Sequence, residues 1–514
     1  MKFEGFLLAV LFAVAHTQSP LFYSNQNQYL LHGAAIAGDG QLAGDWLATT
    51  RDPAPLASAI VAACYRLHPA TLHALHFALM MAYFAVARTV ARSIVDTPAG
   101  RLGFAVLFIA VHAGFVRWLS VRLTGFDYPW FLQAGLAAQY LVGPGFQPSA
   151  LGGVLLFAAV ANADRSPLRV GALAGLACLA HSTYLLPAGL LVGSVLIVQA
   201  RRGVPWRSLV AAGGVSLWLV AWPVHVAVRD FLSDPDGRAE AMRLLADVRI
   251  PHHCRPARWF DAIAAVQIAW MAIGLWLLRN RPIGVALAIA AAGCVALTVA
   301  QIATGSHALA LLFPWRLSVV LVPLATTVAI AVAVNRIGAW PSMASWLGTI
   351  ALSISGIAVM AFGLGYRTDD GEWPLYRHVR ATAKPGDVYF VPARFPKVSS
   401  GRGAVSNTFA PPPRMAQGTN QIPIDLQRFR LAAGAAIFVD FKSVPYAVPE
   451  VLEWHRRMTL ADRWTAEATW TATRIDELRR EGITHLVVPA TATVTQGRET
   501  YRDESYAIYR IGGE

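Results

Sequence analysis

The residues best able to do chemistry gather in a few polar stretches between apolar runs. The first stretch, "YSNQNQYLLHGAAIAGDGQLAGDW" from Tyr23 to Trp46, holds Asn25, Gln26, Tyr29, His32, Asp39 and Asp45. "VRLTGFDYPWF" offers Arg122 and Asp127, the loop 229–260 carries His252, His253, Arg255 and Arg258, and "FPWRLS" carries Arg316. Carboxylates can take a proton from a hydroxyl or hold a metal, and Arg forks onto phosphate oxygens. Gathered on one face of a membrane, such groups suit chemistry on a phosphate-bearing substrate. Plainer readings compete with these. Asp45 ahead of "WLATT" suits a helix cap, Asp39 in "GDG" suits a turn, and a single Arg near a span end suits an interface anchor. "HHC" at 252–254 puts its neighbours on different helix faces and lacks further ligand spacing, which argues against structural zinc. No phosphate-binding P-loop, dinucleotide fingerprint or nucleophile elbow occurs in the inner loops, which argues against a pump driven by cytoplasmic ATP.

What must position these groups is a membrane scaffold. Of the 514 residues 55% are hydrophobic and 14% charged, too apolar a balance for a soluble chain of this length. A span needs about 20 mostly apolar residues. Eleven candidates lie near 3–20, 69–87, 102–120, 146–162, 168–181, 184–200, 207–228, 260–278, 282–302, 312–334 and 345–366. With Lys2 inside, Arg88, Arg92, Arg101, Arg165, Arg169, Arg201, Arg202, Arg207, Arg279, Arg281 and Arg336 all fall on the cytoplasmic side, as basic residues in short loops should. Much of the formal charge of +13 is therefore a topology signal, and no nucleic-acid partner is called for. The run 168–200 is too long for one span, and two legs hinged at "HSTYLLP" (181–187) keep Arg201 and Arg202 inside. The apolar stretch 131–142 is too short to span and is expected on, or dipping into, the outer surface. The first segment also has signal-peptide features, Lys2 and "AVAH"; a retained span is the preferred reading, and either way residue 23 onward faces outside. The four Cys residues imply no disulfide framework.

Composition changes near Tyr366. The expected units are a transmembrane domain, 1–366, and an extracytoplasmic α/β domain, 367–514, in a protein of the cytoplasmic membrane. Strands are expected at 387–392, 436–441, 484–489 and 506–511, helices at 449–459 and 471–481 stopped by Gly482, and a loop at "APPPRM" (410–415).

The opening stretch resembles the first outer loop of GT-C superfamily integral-membrane glycosyltransferases, notably the aminoarabinose and protein-mannosyl transferase types. Their loop follows a pattern like "DExRYxExxxxMxxxGDW" after a short first span. Here the spacing is kept through Tyr29 and approximately to "GDW" at 44–46, but the acidic pair falls on Asn25 and Gln26. Arg122 and Asp127 resemble the second-loop acid of such enzymes. The tail segment "FRLAAGAAIFVDFKSVPY...VLEWHRRM" is similar to part of an uncharacterised bacterial family of polytopic membrane proteins. The resemblance implies a GT-C-like fold that transfers a sugar from a polyprenyl-phosphate carrier to an acceptor on the extracytoplasmic face. A divalent metal is the one cofactor it admits. An amide at 25 cannot accept a proton at neutral pH, so the base would be Asp45, then Asp127 or Asp39. Asn25, Gln26, Tyr29, Arg122, His252, His253, Arg255, Arg258 and Arg316 would bind substrate. Two alternatives stand beside this: a catalytically inactive member of the fold that binds a lipid or glycan in envelope assembly, and a secondary transporter suggested by the broken 168–200 run with His112 and His225.

Overall fold

The computed structural model describes residues 3–23, 25–232, 236–338, 340–364, 371–396, 428–467 and 469–512. It is a helical membrane protein with a small sheet region at its C-terminal end. Among the described residues six helices are long and apolar enough to cross a membrane: Thr71–Ala91, Ser182–Arg201, Trp206–Arg229, Pro282–Thr304, His307–Ile337 and Ser342–Ala361. Pro98–His112 and Gly114–Thr124 make a seventh if taken as one span bent by 51°. The other expected spans form helices, but Phe3–His16, Pro148–Asn162, Pro167–Ala180 and Ala262–Leu277 are only 14 to 16 residues long. Each stops where local geometry ends it. The first, for example, runs into Thr17 at φ 68°, a left-handed conformation that a β-branched residue adopts only under constraint.

Helix starts follow their sequence signals. Pro opens the helices at 55, 98, 148, 167 and 282, where its missing N–H costs nothing. Thr97, Ser166 and Asp261 cap their helices by accepting from a backbone N–H three residues on. The expected hinge is present: a 3₁₀ turn, Ser182–Tyr184, joins Pro167–Ala180 to Leu185–Arg201.

Ion pairs and hydrogen bonds mark one end of the bundle. Glu4 pairs with Arg88 at 3.1 Å, Arg281 donates to Ser93 Oγ and its carbonyl, and Asn335 Oδ1 accepts from the Asp96 N–H. At the other end the chain does something the hydropathy pattern does not announce. Residues 131–142 are not on the surface. They thread into the bundle as a tight antiparallel pair, Ala134–Gly135 with Gln139–Tyr140. Side chains from the helices hold this plug through its backbone: Ser318 Oγ accepts from the Leu136 N–H, Gln267 donates to the Ala134 carbonyl and Thr326 to the Leu132 carbonyl. Backbone buried without such partners would be costly, which is why three polar side chains point inward here.

The tail forms a five-stranded mixed sheet in the order Ala436–Ile437, Val388–Phe390, His485–Pro489, Tyr506–Arg510, Arg498–Arg502, the first three strands parallel and the last two antiparallel additions. The expected strand at 436–441 is only two residues long, and Arg498–Arg502 is an edge strand whose charged, exposed pattern hides it from a hydropathy reading. The loop expected at 410–415 lies outside the described residues. Strand alternation sends the two faces to different partners. Phe390, Leu486, Val488 and Ala507 pack with the helices Val448–Thr465 and Ala472–Arg480, while Tyr389, Val487 and Ile508 join a core continuous with the helical bundle. The boundary near 366 is thus a change in composition across which the core runs on.

Candidate functional site

The three expected bases are each engaged elsewhere, in two different regions. Asp45 is fully buried and N-caps Trp46–Thr49 by accepting from the Leu47 N–H at 2.9 Å. Its second oxygen accepts from Arg430 Nε at 2.8 Å and from the Ile437 N–H at 2.9 Å. Arg430, itself 2% exposed, also reaches Asp440 at 2.6 Å. Asp39 forks with Arg380, which also donates to the carbonyls of Leu431 and Ala432. "GDG" and "GDW" are thus the two clasps by which the first loop grips the tail, and Gln41 N–H to Gly434 carbonyl at 2.7 Å lies between them. Asp127 is fully buried against Arg117 at 2.7 Å, caps Tyr128–Phe131, and sits beside Trp130, over whose ring the Arg117 guanidinium lies at 4.9 Å. Asp45 and Asp127 are engaged through both oxygens by buried donors, and Asp39 accepts from Arg380, so a proton-acceptor role would compete with these contacts.

Gln26 explains the missing acids. It is 2% exposed, donates Nε2 to the Phe146 carbonyl and accepts the Tyr23 N–H on Oε1. A carboxylate cannot donate, so an acid here would leave that buried carbonyl without its partner. Asn25 is half-buried and takes part through its carbonyl, which accepts from the Gln28 and Tyr29 N–H groups.

Several of the expected substrate-binding residues do converge, beneath the tail. Arg316, 8% exposed, lies over the Tyr184 ring at 5.0 Å and donates to Gln139 of the threaded plug at 2.5 Å. Its Nε has no partner, and among the described residues it makes no ion pair. Tyr184 neighbours His181, whose ring meets Tyr29 at 5.4 Å with a 3.3 Å hydrogen bond between them. From the other side come His253, tilted against Trp315 at 6.3 Å between ring centroids, and His252 at 4.1 Å from His253. Arg249 closes the group by donating to the Lys442 carbonyl of the tail. Burial holds His253 well below the ordinary imidazole range, and the His252, Arg316 and Arg249 charges add to it. Burial, then Arg249 and Lys442, lower His252 to about 4, although its face stays open to an adjoining cleft and to water. Burial, reinforced by Tyr446, pushes the Tyr29 hydroxyl above its ordinary range against the pull of Arg316 and Arg249. These shifts have burial as their first cause in common, and among the described residues Arg316 and Arg249 are the charges that act on both Tyr29 and His253. Such a group is complementary to an anion.

Backbone strain falls in the same place. Ala137 (φ 59°) and Phe313 (φ 50°) are two of the four described non-glycine residues at positive φ; the first lies at the turn of the plug and the second three residues before Arg316. Strain of this kind, on the order of 1–3 kcal/mol per residue, persists where the surroundings enforce it and concentrates at functional sites.

The remaining residues divide. Arg258 lines a cleft of about 430 Å³ with His252, Trp259, Asp261 and Trp130, beside the cation group. Arg255 is neutralised by Asp247 at 2.6 Å, with His307 on the same carboxylate, and serves to hold its loop. Arg122 is exposed near the end of its helix, apart from the site. Of the histidines that suggested transport, His112 is tied to Tyr83 and the Phe108 carbonyl, and His225 is exposed on the bundle's flank. Among the described residues no three His, Cys, Asp or Glu side chains converge as metal ligands. The sequence reading missed Arg249, Lys442, Gln139, His181 and Tyr184. Only the first two had a signal, their charge, and nothing local placed them beside Arg316.

A family model described as a domain of unknown function (DUF6798) matches residues 418–461, a short part of the tail that contains Arg430, Asp440 and Lys442. No curated protein matches the chain.

Proposed function

We propose that the protein binds a phosphate-bearing lipid, of the polyprenyl-phosphate-sugar class, at the end of the helical bundle beneath the tail. The single observation behind this reading is the buried Arg316 with an unpartnered Nε, ringed by Gln139, Tyr184 and His253 and, among the described residues, by no acid. A buried guanidinium without a counter-charge is expensive, and an anionic ligand relieves that cost. In this proposal the short helices complete an eleven-crossing bundle, the protein sits in the cytoplasmic membrane, and the tail lies on the extracytoplasmic side. Binding without turnover ranks first, because Asp39, Asp45 and Asp127 are spent on structure. Sugar transfer is the second reading. It is favoured by Asp261, which lines the cleft with His252 and Arg258 and uses one oxygen to cap its helix.

The test is binding of polyprenyl monophosphate to the purified protein in nanodiscs. A charge-assisted hydrogen bond contributes about 1.5–3 kcal/mol, so Arg316→Gln should weaken binding by roughly ten- to a hundred-fold. Arg122→Gln, at an exposed position, should leave it unchanged. Equal binding by wild type and Arg316→Gln would sink the proposal. Turnover of a polyprenyl-phosphate sugar by the wild type, lost in Asp261→Asn, would move transfer to first place.

A further inference from the structure

Across Tyr29 from the cation group, a second cleft of about 360 Å³ opens between the first loop and the tail segment Val444–Pro445. Gln28, His32 and Asp52 bring acceptors to it. Gln28 spends its amide N–H groups on the Val444 carbonyl and the Tyr446 hydroxyl, His32 engages the Thr50 carbonyl through Nε2, and Asp52 accepts the Ala54 N–H on Oδ1. Each has one end held by the protein and an accepting atom left over: Gln28 Oε1, His32 Nδ1 and Asp52 Oδ2. These leftover acceptors are complementary to hydroxyl donors, and Arg51 lines the cleft beside them. Tyr29 lines this cleft and, through its hydroxyl, meets His181 beside the cation group.

We infer that the Asp52 cleft is a polyol subsite, so that one ligand places its phosphate on the Arg316 side and its hydroxyls against Gln28, His32 and Asp52. This rests on the phosphate reading above and adds to it a place for the sugar and the residues that recognise it. Asp52 is the strongest acceptor of the three, since an ionised carboxylate binds hydroxyls through charge-assisted hydrogen bonds.

The experiment compares polyprenyl monophosphate with a polyprenyl-phosphate hexose of the same chain length, on wild type, Asp52→Asn and Asp52→Ser. Both variants keep an oxygen able to hold the turn at Ala54, so the loop is retained. Wild type should bind the hexose lipid at least about tenfold more tightly. Both variants should lose that difference and bind the monophosphate as wild type does. Equal binding of the two lipids by wild type overturns the subsite and leaves the phosphate site standing, as does an Asp52→Ser variant that retains the preference. Failure of wild type to bind either lipid overturns both.

Discussion

Replacing Asp45 with Asn separates a docking role from a catalytic one. The amide keeps an oxygen for the Leu47 cap, but sets an NH2 group against two donors, Arg430 Nε at 2.8 Å and the Ile437 N–H at 2.9 Å. Losing the charge-assisted bond costs about 1.5–3 kcal/mol, and leaving a buried N–H unpaired about 1–3 kcal/mol more. The sum, about 2.5–6 kcal/mol, brackets the cost of about 3–5 kcal/mol for removing one partner of a buried ion pair. Burial of 0% and 2% exposure for Asp45 and Arg430 leaves water little means of softening it. Gln41 N–H, bonded to the Gly434 carbonyl across the same junction, reports the outcome independently of the substituted residue. A docking loss of about 3 kcal/mol should speed its hydrogen exchange on the order of 150-fold in nanodiscs, with lipid binding at Arg316 affected only as far as the junction opens. The docking assignment fails if Gln41 exchange rises by less than about threefold. It fails also if the variant loses sugar transfer while the junction stays closed, which would return Asp45 to a catalytic role.

Three further outcomes follow from the geometry. Gly40→Ala places a Cβ against the Gly434 carbonyl at φ 54°, and should loosen the same junction by over about 2 kcal/mol, seen as new protease cleavage between loop and tail. Gln26→Glu, which restores part of the acidic pattern, should lower the thermal midpoint through loss of the donor to Phe146, a cost of about 1–3 kcal/mol, and confer no turnover. An unchanged midpoint would remove our account of why an amide stands there. The third concerns pH. His252, lowered to about 4 from an ordinary imidazole value, is neutral near pH 7, and a phosphodiester bound beside it favours the charged form. Binding therefore takes up a proton as pH falls toward that range, and affinity for a polyprenyl-phosphate hexose should rise on acidification. His252→Gln should flatten the profile, and an equally steep profile in the variant would assign the proton elsewhere.

Much of the architecture was legible along the chain. The expected spans fall on helices, one of them broken at Ala113, because long apolar runs admit no other backbone in a membrane, and the hinge at His181 follows from length and the side on which Arg201 and Arg202 must lie. Less legible were the lengths of the regular pieces. The helices at 3–16 and 262–277 end sooner than their apolar runs, and Arg498–Arg502 forms a strand because Tyr506–Arg510 offers it an edge. The site divides in the same manner. Tyr29, His252, His253 and Arg316 could be proposed from type and position, since a Tyr, two His and an Arg at span ends need few partners to suggest ligand binding. The partners of Asp39, Asp45 and Asp127 were not legible, for a physical reason. A carboxylate's role is set by which donors surround it, and Arg380, Arg430 and Arg117 decide that here.

The sequence by itself determined that this is a membrane-embedded helical protein with a mixed α/β tail, since hydropathy and strand alternation are local properties of the chain. It also placed cations and acids in the same loops. Only the tertiary structure sorted them, because pairing is decided by distances between segments that can lie nearly 400 residues apart, as Asp45 and Arg430 do. The acids went to clasps against the tail and to a buried pair in the bundle, and Arg316 was left without a counter-charge among the described residues.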